Sequence, residues 1–384
     1  MERKMQKNFY QDFKLGILGG GQLGRMLIQE AINLNINISV MDPDAEAPCK
    51  NIVHKFTQGQ LTDFDSVLNF GKGLDLITIE IENVNTDALE ELERQGVKVY
   101  PQPRVIKLIQ DKRTQKEFYK KNNIPTPDFI LINHKSELEK HIDFLPAFLK
   151  LGKAGYDGKG VLALNSKADF VKAFDAPSLI EKRVDFEKEI AVIVARSVSG
   201  EVSVFPVVEL VFNAQYNLVD YLFAPAKVSE DIEKKALEIA KKIIIELDMV
   251  GLLAVEMFVT KDGQVLVNEA APRPHNSGHH TIEANITSQY GQHLRAILDL
   301  PLGSTEIRAK SAMVNLLGEE GFNGIAKYEG LESILKTEGI FAHLYGKKFT
   351  KPSRKMGHIT IIDNDEAKLQ SKIDLVKRTI KVKA

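Results

Sequence analysis

Residues 14–24 read Lys-Leu-Gly-Ile-Leu-Gly-Gly-Gly-Gln-Leu-Gly, and the stretch changes character halfway. Lys14–Leu18 is a short apolar run that predicts a strand, and a helical pattern follows from Gln22 to about Asn33. Between them, Gly19 to Gly24 fits G-x-G-x-x-G in a strand–turn–helix context. Working outward, Ile36–Met41, Leu74–Ile79 and Val97–Tyr100 read as strands, with Thr86–Arg94 helical between the last two. This alternation predicts a parallel sheet with helices on its faces. Pro101-Gln102-Pro103 then punctuates the chain, which places a domain boundary near residue 110.

The glycine loop admits three readings. Asp42 ends the second predicted strand, where a dinucleotide-binding fold carries its ribose acid. The same loop is also what a tight βα turn with no ligand needs. Its N–H groups and helix start equally suit another phosphate or carboxylate.

Composition narrows the class. At roughly 150 residues per domain, 384 residues predict two or three domains. Lys plus Arg is 51 against 52 Asp plus Glu, so no whole-chain charge drives the protein toward nucleic acid or an anionic membrane. An apolar share of 43% with 27% charged residues belongs to a globular chain rather than a disordered one. The single cysteine, Cys49, excludes an intrachain disulfide and a cysteine-rich zinc site. Met1–Lys14 is polar and carries no secretory apolar region, and the most apolar stretch, Ile243–Val259, contains Glu246, Asp248 and Glu256. The expectation is a soluble cytoplasmic protein without membrane spans.

Beyond the boundary, Asn123–Pro127 is a turn between a polar helix and a strand at Phe129–Ile132. Ala147–Lys150 and Val161–Leu164 then flank a glycine-rich loop, which together predict a small lid-like subdomain. Glu230–Leu247 places Ile232, Ala236, Ile239, Ile243 and Leu247 on one face of an amphipathic helix. A charged helix from about Glu366 to Arg378 lies near the C-terminus.

Leu252–Thr260 and Val265–Glu269 flank Lys261-Asp262-Gly263-Gln264, whose Asp-Gly pair predicts a two-residue type I′ hairpin. In that register Glu256 sits opposite Glu269, with Cβ atoms about 5 Å apart. Opposed carboxylates inside apolar strands are costly unless a divalent cation or solvent intervenes. Glu256 interrupts an apolar run, which favours the metal; the alternative is a pair of solvated glutamates. Ideal alternation points Asn268 to the other face.

Three cationic or polar clusters remain. Gly155-Tyr156-Asp157-Gly158-Lys159-Gly160 can form an anion-binding concavity or a flexible hairpin tip. Lys150, ending an apolar strand, either snorkels or faces a charged ligand. In Arg273-Pro-His275-Asn276-Ser-Gly-His279-His280, the histidine spacing of four could suit zinc on a helix, but Gly278 and the prolines disfavour one, so a polar substrate pocket is the better reading. Lys347, Lys351, Arg354, Lys355 and His358 suit a phosphate monoester, or are a solvated surface run.

Five segments in order carry a resemblance: GQLGRML at 21–27, DKRTQK at 111–116, GYDGKG at 155–160, NEAAPRPHNSGHHTIEA at 268–284, and HLYGK with SRKMGHI between 343 and 359. Together they resemble the N5-carboxyaminoimidazole ribonucleotide synthases, ATP-grasp carboxylases of purine synthesis, over nearly the whole chain. The resemblance implies α/β and α+β architecture: an ATP-grasp fold with an N-terminal Rossmann-like domain (1–110), an ATP-grasp domain (111–300) including a lid subdomain at about 111–185, and a C-terminal domain (301–384). It implies an ATP-dependent carbon–nitrogen ligase that carboxylates 5-aminoimidazole ribonucleotide with bicarbonate through carboxyphosphate. Mg²⁺ is the implied cofactor, with Mn²⁺ as an alternative ion, and neither NAD nor biotin is needed. Partners would be ATP, bicarbonate and the ribonucleotide, with no nucleic acid or membrane, and the family is usually homodimeric.

Residue by residue, the resemblance assigns Lys112, Lys150, Asn268 and Glu269 to the ATP site, under a loop from Gly155 through Tyr156, Asp157, Gly158, Lys159 and Gly160 to Val161. Glu181, Lys182, Arg183 and Val184 would form the adenine strap and Glu189 would hold the ribose. Glu256 and Glu269 would be the metal ligands. Tyr156, Asp157, Lys159, Arg273, His275 and Asn276 would surround the reacting groups. Gly21, Gln22, Leu23, Glu80, Glu82, Lys347, Arg354 and Lys355 would bind the ribonucleotide. Three departures from the family pattern stand out: Gly152-Lys153-Ala154-Gly155 where Arg-Arg-Gly-Gly is usual, Val161 in place of Gln, and Phe212 in place of a histidine. Rival readings are a formate-using ATP-grasp ligase, a nicotinamide oxidoreductase and a non-catalytic nucleotide sensor.

Overall fold

The structure is a computed structural model that describes residues 8–384 apart from 154, 156–159 and 214–217. Strands β1 (Lys14–Leu18), β2 (Asn37–Asp42), β3 (Lys55–Gln58), β4 (Leu76–Ile79) and β5 (Lys98–Val99) form a parallel sheet in the order β3-β2-β1-β4-β5. The strand order reverses at β1, so its carboxyl end, the Gly19–Gly24 loop, lies at the crevice where such sheets bind ligands. Helices cover both faces. Leu15 and Ile17 pack with Leu27 of the helix Gln22–Asn33, whereas Leu18 packs with Ile79 and Leu89 on the opposite side. Strand β3 and the helix Phe64–Gly71 escape the sequence reading because β3 is a short, half-buried edge strand without an apolar run.

Four antiparallel strands make a second unit: β6 (Phe129–Ile132), β7 (Ala147–Leu151), β8 (Val161–Leu164) and β9 (Ser178–Lys182), in the order β6-β9-β7-β8. The third unit is a nine-stranded sheet built on β10 (Phe186–Arg196), β11 (Val202–Val204), β12 (Val208–Asn213), β13 (Leu218–Ala224), β14 (Gly251–Thr260) and β15 (Val265–Ala271). It continues through β16 (Ser311–Leu317) and the strands Lys355–Ile362 and Ile340–Leu344. Tyr221 of β13 pairs with Val314 of β16, so the C-terminal strands extend the same sheet. The helix Glu230–Glu246, capped by Ser229, buries Ile232, Ala236 and Ile243 against Ile190, Leu253 and Val255 of that sheet.

The β14–β15 turn corrects the expected hairpin. Thr260 N donates to Gln264 O at 3.0 Å and Gly263 N to Thr260 O at 2.9 Å, enclosing a three-residue loop in which Gly263 takes φ +78°. Only a residue tolerant of the left-handed region closes this turn without strain. Val259 therefore pairs with Val265, one residue off the expected register. A β-bulge then lets Asn268 stand unpaired between Val267 and Glu269, and Glu256 pairs with Glu269 after all. The extra residue in the turn and the extra residue in the strand cancel.

Candidate active site

The candidate site lies where the lid sheet meets the β14–β15 edge, beside the Arg273–Glu82 contact with the N-terminal domain. Its lysines come from two elements. Asp111 caps the helix Lys112–Lys121, accepting from Arg113 N, and thereby sets Lys112 and Lys116 one turn apart on one face. Lys150 leaves β7. Lys112 Nζ pairs with Glu269 Oε2, while Lys150 Nζ donates to Glu181 Oε1 at 2.5 Å and to Asn268 Oδ1 at 3.0 Å. The bulge is what aims Asn268 at Lys150, which corrects the expectation from ideal alternation that it points to the other face.

Glu181 is 2% exposed and bridges two lysines, since Lys116 Nζ stands 2.5 Å from its other oxygen. Burial acts to raise the Glu181 pKa, but Lys150 and Lys116 together hold it below the ordinary carboxylate range. Lys116 itself is brought down to about 8 by burial, against the pull of Glu181. The sequence reading missed Lys116, although its four-residue spacing from Lys112 was a visible signal.

The opposed glutamates have unlike environments. Burial, with Glu269 and Glu189 nearby, pushes Glu256 up to about 8. The Lys112 ammonium holds Glu269 down at about 2. Burial works against the Lys112 charge, but Glu269, with Glu181 and Glu82, more than offsets it, leaving the Lys112 pKa raised. Glu189 on β10 is pushed up to about 7, chiefly by burial. His275 Nδ1 accepts from Ser277 N at 3.4 Å and contacts Ser277 Oγ at 2.9 Å, which turns Nε2 toward Glu256 Oε1, 3.7 Å away.

At the glycine loop, two carboxylates use the backbone donors. Gly20 N donates to Asp42 Oδ2 at 2.7 Å, and Gly21 N and Leu23 N donate to Glu80 at 3.0 and 3.2 Å. A Cβ on Gly21 would meet the Glu80 carboxylate at 2.4 Å, so the glycine serves an internal anion. Burial raises the Glu80 pKa, with Arg273 among the groups opposing it. Arg273 Nε pairs with Glu82 at 2.9 Å, tying the loop after β15 to the N-terminal sheet. Gln22 opens the helix behind the loop.

On the C-terminal side, Asn276 and Asn315 exchange side-chain hydrogen bonds of 2.8 and 3.1 Å. Lys347 Nζ donates to Lys355 O at 2.8 Å, and Arg354 Nη1 to Phe349 O at 2.6 Å. Lys112, Lys150, Glu181, Glu256, Asn268, Glu269 and His275 thus converge, whereas the Arg354 side chain turns to a neighbouring loop. Lys182 Nζ reaches Phe144 O and Arg183 reaches Asn165, so these two strap side chains point toward the lid. Gly155 and Gly160 are described, and Val161 pairs with Lys150 across β7 and β8. Tyr156, Asp157, Gly158 and Lys159 lie outside the described residues. Phe212 packs beside Leu210 and Leu222 in an apolar cluster. Among the described residues, no group of three or more His, Cys, Asp or Glu is arranged to hold a metal by itself.

Three family models match successive parts of the chain: a ribonucleotide synthetase preATP-grasp domain at 13–110, an ATP-grasp domain at 117–290, and a phosphoribosylaminoimidazole carboxylase C-terminal domain at 311–372. The chain is 37% identical over 364 residues to the N5-carboxyaminoimidazole ribonucleotide synthase of Bacillus subtilis, covering 93% of each. The chain belongs to the N5-carboxyaminoimidazole ribonucleotide synthase family.

Solved structures of the N5-carboxyaminoimidazole ribonucleotide synthase family agree in shape. The synthetase from Thermotoga maritima superposes with a TM-score of 0.90 at 41% identity, covering 97% of this chain and 99% of that one. The synthase from Aspergillus clavatus in complex with ADP and 5-aminoimidazole ribonucleotide gives 0.87 at 37% identity, covering 96% of this chain and 100% of that one. The expected ATP-grasp fold, with a Rossmann-like core, a lid and a C-terminal domain, is therefore the observed one.

Proposed function

We propose that this chain carboxylates 5-aminoimidazole ribonucleotide at its exocyclic amine, consuming ATP and bicarbonate and releasing ADP and phosphate. The observation that carries the reading is the convergence of Lys112 and Lys150 with the Glu256–Glu269 pair and Asn268 on the β14–β15 strands. A bicarbonate oxygen attacks the γ-phosphorus of ATP, the bond to the β-phosphate oxygen breaks, and ADP leaves carboxyphosphate. The amine nitrogen then takes the carboxyl carbon while phosphate departs and the amine loses a proton. Catalysis of such transfers rests on positioning and on offsetting charge.

The donor set fits Mg²⁺: two facing carboxylates and an amide oxygen. Glu256 and Glu269 would hold the ion, which would offset charge on the transferring phosphoryl group. Lys112 and Lys150 would bind ATP phosphates and the Gly155–Val161 loop would cover them. The Glu181–Val184 segment would strap adenine through its backbone, since the Lys182 and Arg183 side chains turn away, and Glu189 would hold the ribose. Tyr156, Asp157, Lys159, Arg273, His275 and Asn276 would surround the reacting atoms. Lys347, Arg354 and Lys355, with Gly21–Leu23, Glu80 and Glu82, would bind the ribonucleotide.

We assign domain boundaries near residues 110 and 300, a cytoplasmic location and a homodimer to the same reading. Among the described residues, no helix is long and apolar enough to cross a membrane. ADP release measured with and without the ribonucleotide and bicarbonate tests the function. Release that ignores both would overturn it.

A further inference from the structure

We infer that Gln289 is a positioning residue for His275, acting through the His275 backbone; the inference rests on the function just proposed. His275 lies in the loop after β15, with extended φ −132° and ψ 158°. In that conformation a residue's own N–H and C=O point to the same side, where one carboxamide can serve both. Gln289, fully buried at the start of the helix Gln289–Leu298, does so. Its Oε1 accepts from His275 N at 2.8 Å and its Nε2 donates to His275 O at 2.8 Å. Because the backbone N–H only donates and the carbonyl only accepts, the orientation of the amide is determined.

The surroundings are built around this grip. A Cβ on Gly278 would stand 2.2 Å from Ile193 Cδ1 and 2.5 Å from Gln289 Oε1, so the glycine makes room for the carboxamide and for Ile193 together. Gln289 N donates to Thr281 Oγ1 at 2.8 Å, fixing the start of its helix. That helix packs Tyr290, Leu294 and Ile297 into the N-terminal core, which gives the side chain a rigid base. Held at both backbone groups and at Nδ1 by Ser277, the ring has its Nε2 directed at Glu256. Supporting residues of this kind set reacting groups to within fractions of an ångström.

The same helix supplies a control. Gln292, equally buried, grips Gly303 in the same way: Nε2 donates to Gly303 O at 2.9 Å and Oε1 accepts from Gly303 N at 2.8 Å. No residue placed in the site lies on that loop. Gln289→Met and Gln292→Met each remove one grip of identical chemistry, so a loss that is only structural falls on both.

The test measures thermal midpoints and steady-state kinetics of the full chain. Gln289→Met is expected to lower kcat for ribonucleotide-dependent ADP release about 100-fold, with KM for ATP within about twofold. Gln292→Met is expected to lower the midpoint with kcat within about threefold of the starting protein. If Gln289→Met does not fold, Gln289→Glu, which keeps the acceptor for His275 N and loses the donor, is read against the same thresholds. Equal kcat losses in the Gln289 and Gln292 variants, or a Gln289 variant within about threefold of the starting protein, would overturn the inference. A starting protein with no ribonucleotide-dependent ADP release sinks the proposed function instead.

Discussion

Glu256 and Glu269 face each other across β14 and β15, yet Lys112 is paired with Glu269 alone. One partner is held as a carboxylate and the other is pushed toward its protonated form. The two positions therefore respond differently to neutralisation. Glu269→Gln should lower turnover at least about 100-fold at saturating Mg²⁺ and leave Lys112 without its partner. Glu256→Gln should lower turnover similarly but raise the metal-free thermal midpoint by about 2–4 °C, because repulsion and desolvation are relieved there. Near-normal activity in either variant removes that residue from the metal site.

The same pair predicts a pH dependence. The folded-state pKa values of Glu256 and Glu189, about 8 and about 7, exceed the ordinary value of 4.5. Between those limits the folded protein holds more protons than the unfolded chain, so its stability falls as pH rises through the window. In EDTA, the midpoint advantage of Glu256→Gln over the starting protein should grow from pH 5 to pH 8.5. Adding Mg²⁺ with ADP should shrink it. An advantage that is constant with pH contradicts the assignment.

Lys116 belongs to a buried charge cluster, so removing it alone should be severe. Lys116→Met leaves Glu181 with one lysine and is expected to destabilise the protein by about 3 kcal/mol, read by denaturant unfolding. Lys116→Met combined with Glu181→Gln should be less stable still, because Lys150, which pairs with Glu181, is then left without its carboxylate. A double variant as stable as the single one, or more so, would show that the cluster is not electrostatically coupled.

Ribonucleotide phosphate recognition can be separated from ATP recognition. Arg354→Ala should raise KM for 5-aminoimidazole ribonucleotide about tenfold or more and leave KM for ATP within twofold, since a charge-assisted hydrogen bond is lost from one ligand only. Equal rises in both constants would mark Arg354 as structural.

Titration with NADH should give no saturable fluorescence change. The N–H groups of Gly21 and Leu23, which a pyrophosphate would require, are bonded to Glu80, and that of Gly20 to Asp42. Micromolar saturable binding would revive the oxidoreductase reading.

Local order was legible in the chain itself. Lys14–Leu18, Thr86–Arg94 and Phe129–Ile132 form as their apolar periodicity and flanking glycines or prolines dictate, because these signals act within a few residues. The opposition of Glu256 and Glu269 was legible too, since strand pairing on either side of a turn leaves few registers, although the turn and the bulge that produce it were not. The motifs named the family because they bring chemical groups in a particular order along the chain. The tertiary structure alone decided which side chains share a proton or a charge. Lys116 meets Glu181 across 65 positions, Glu80 enters the glycine loop from the fourth strand, and Gln289 reaches His275 from a separate helix. Such contacts depend on how separate elements pack, and on the burial that packing creates, so no local pattern encodes them.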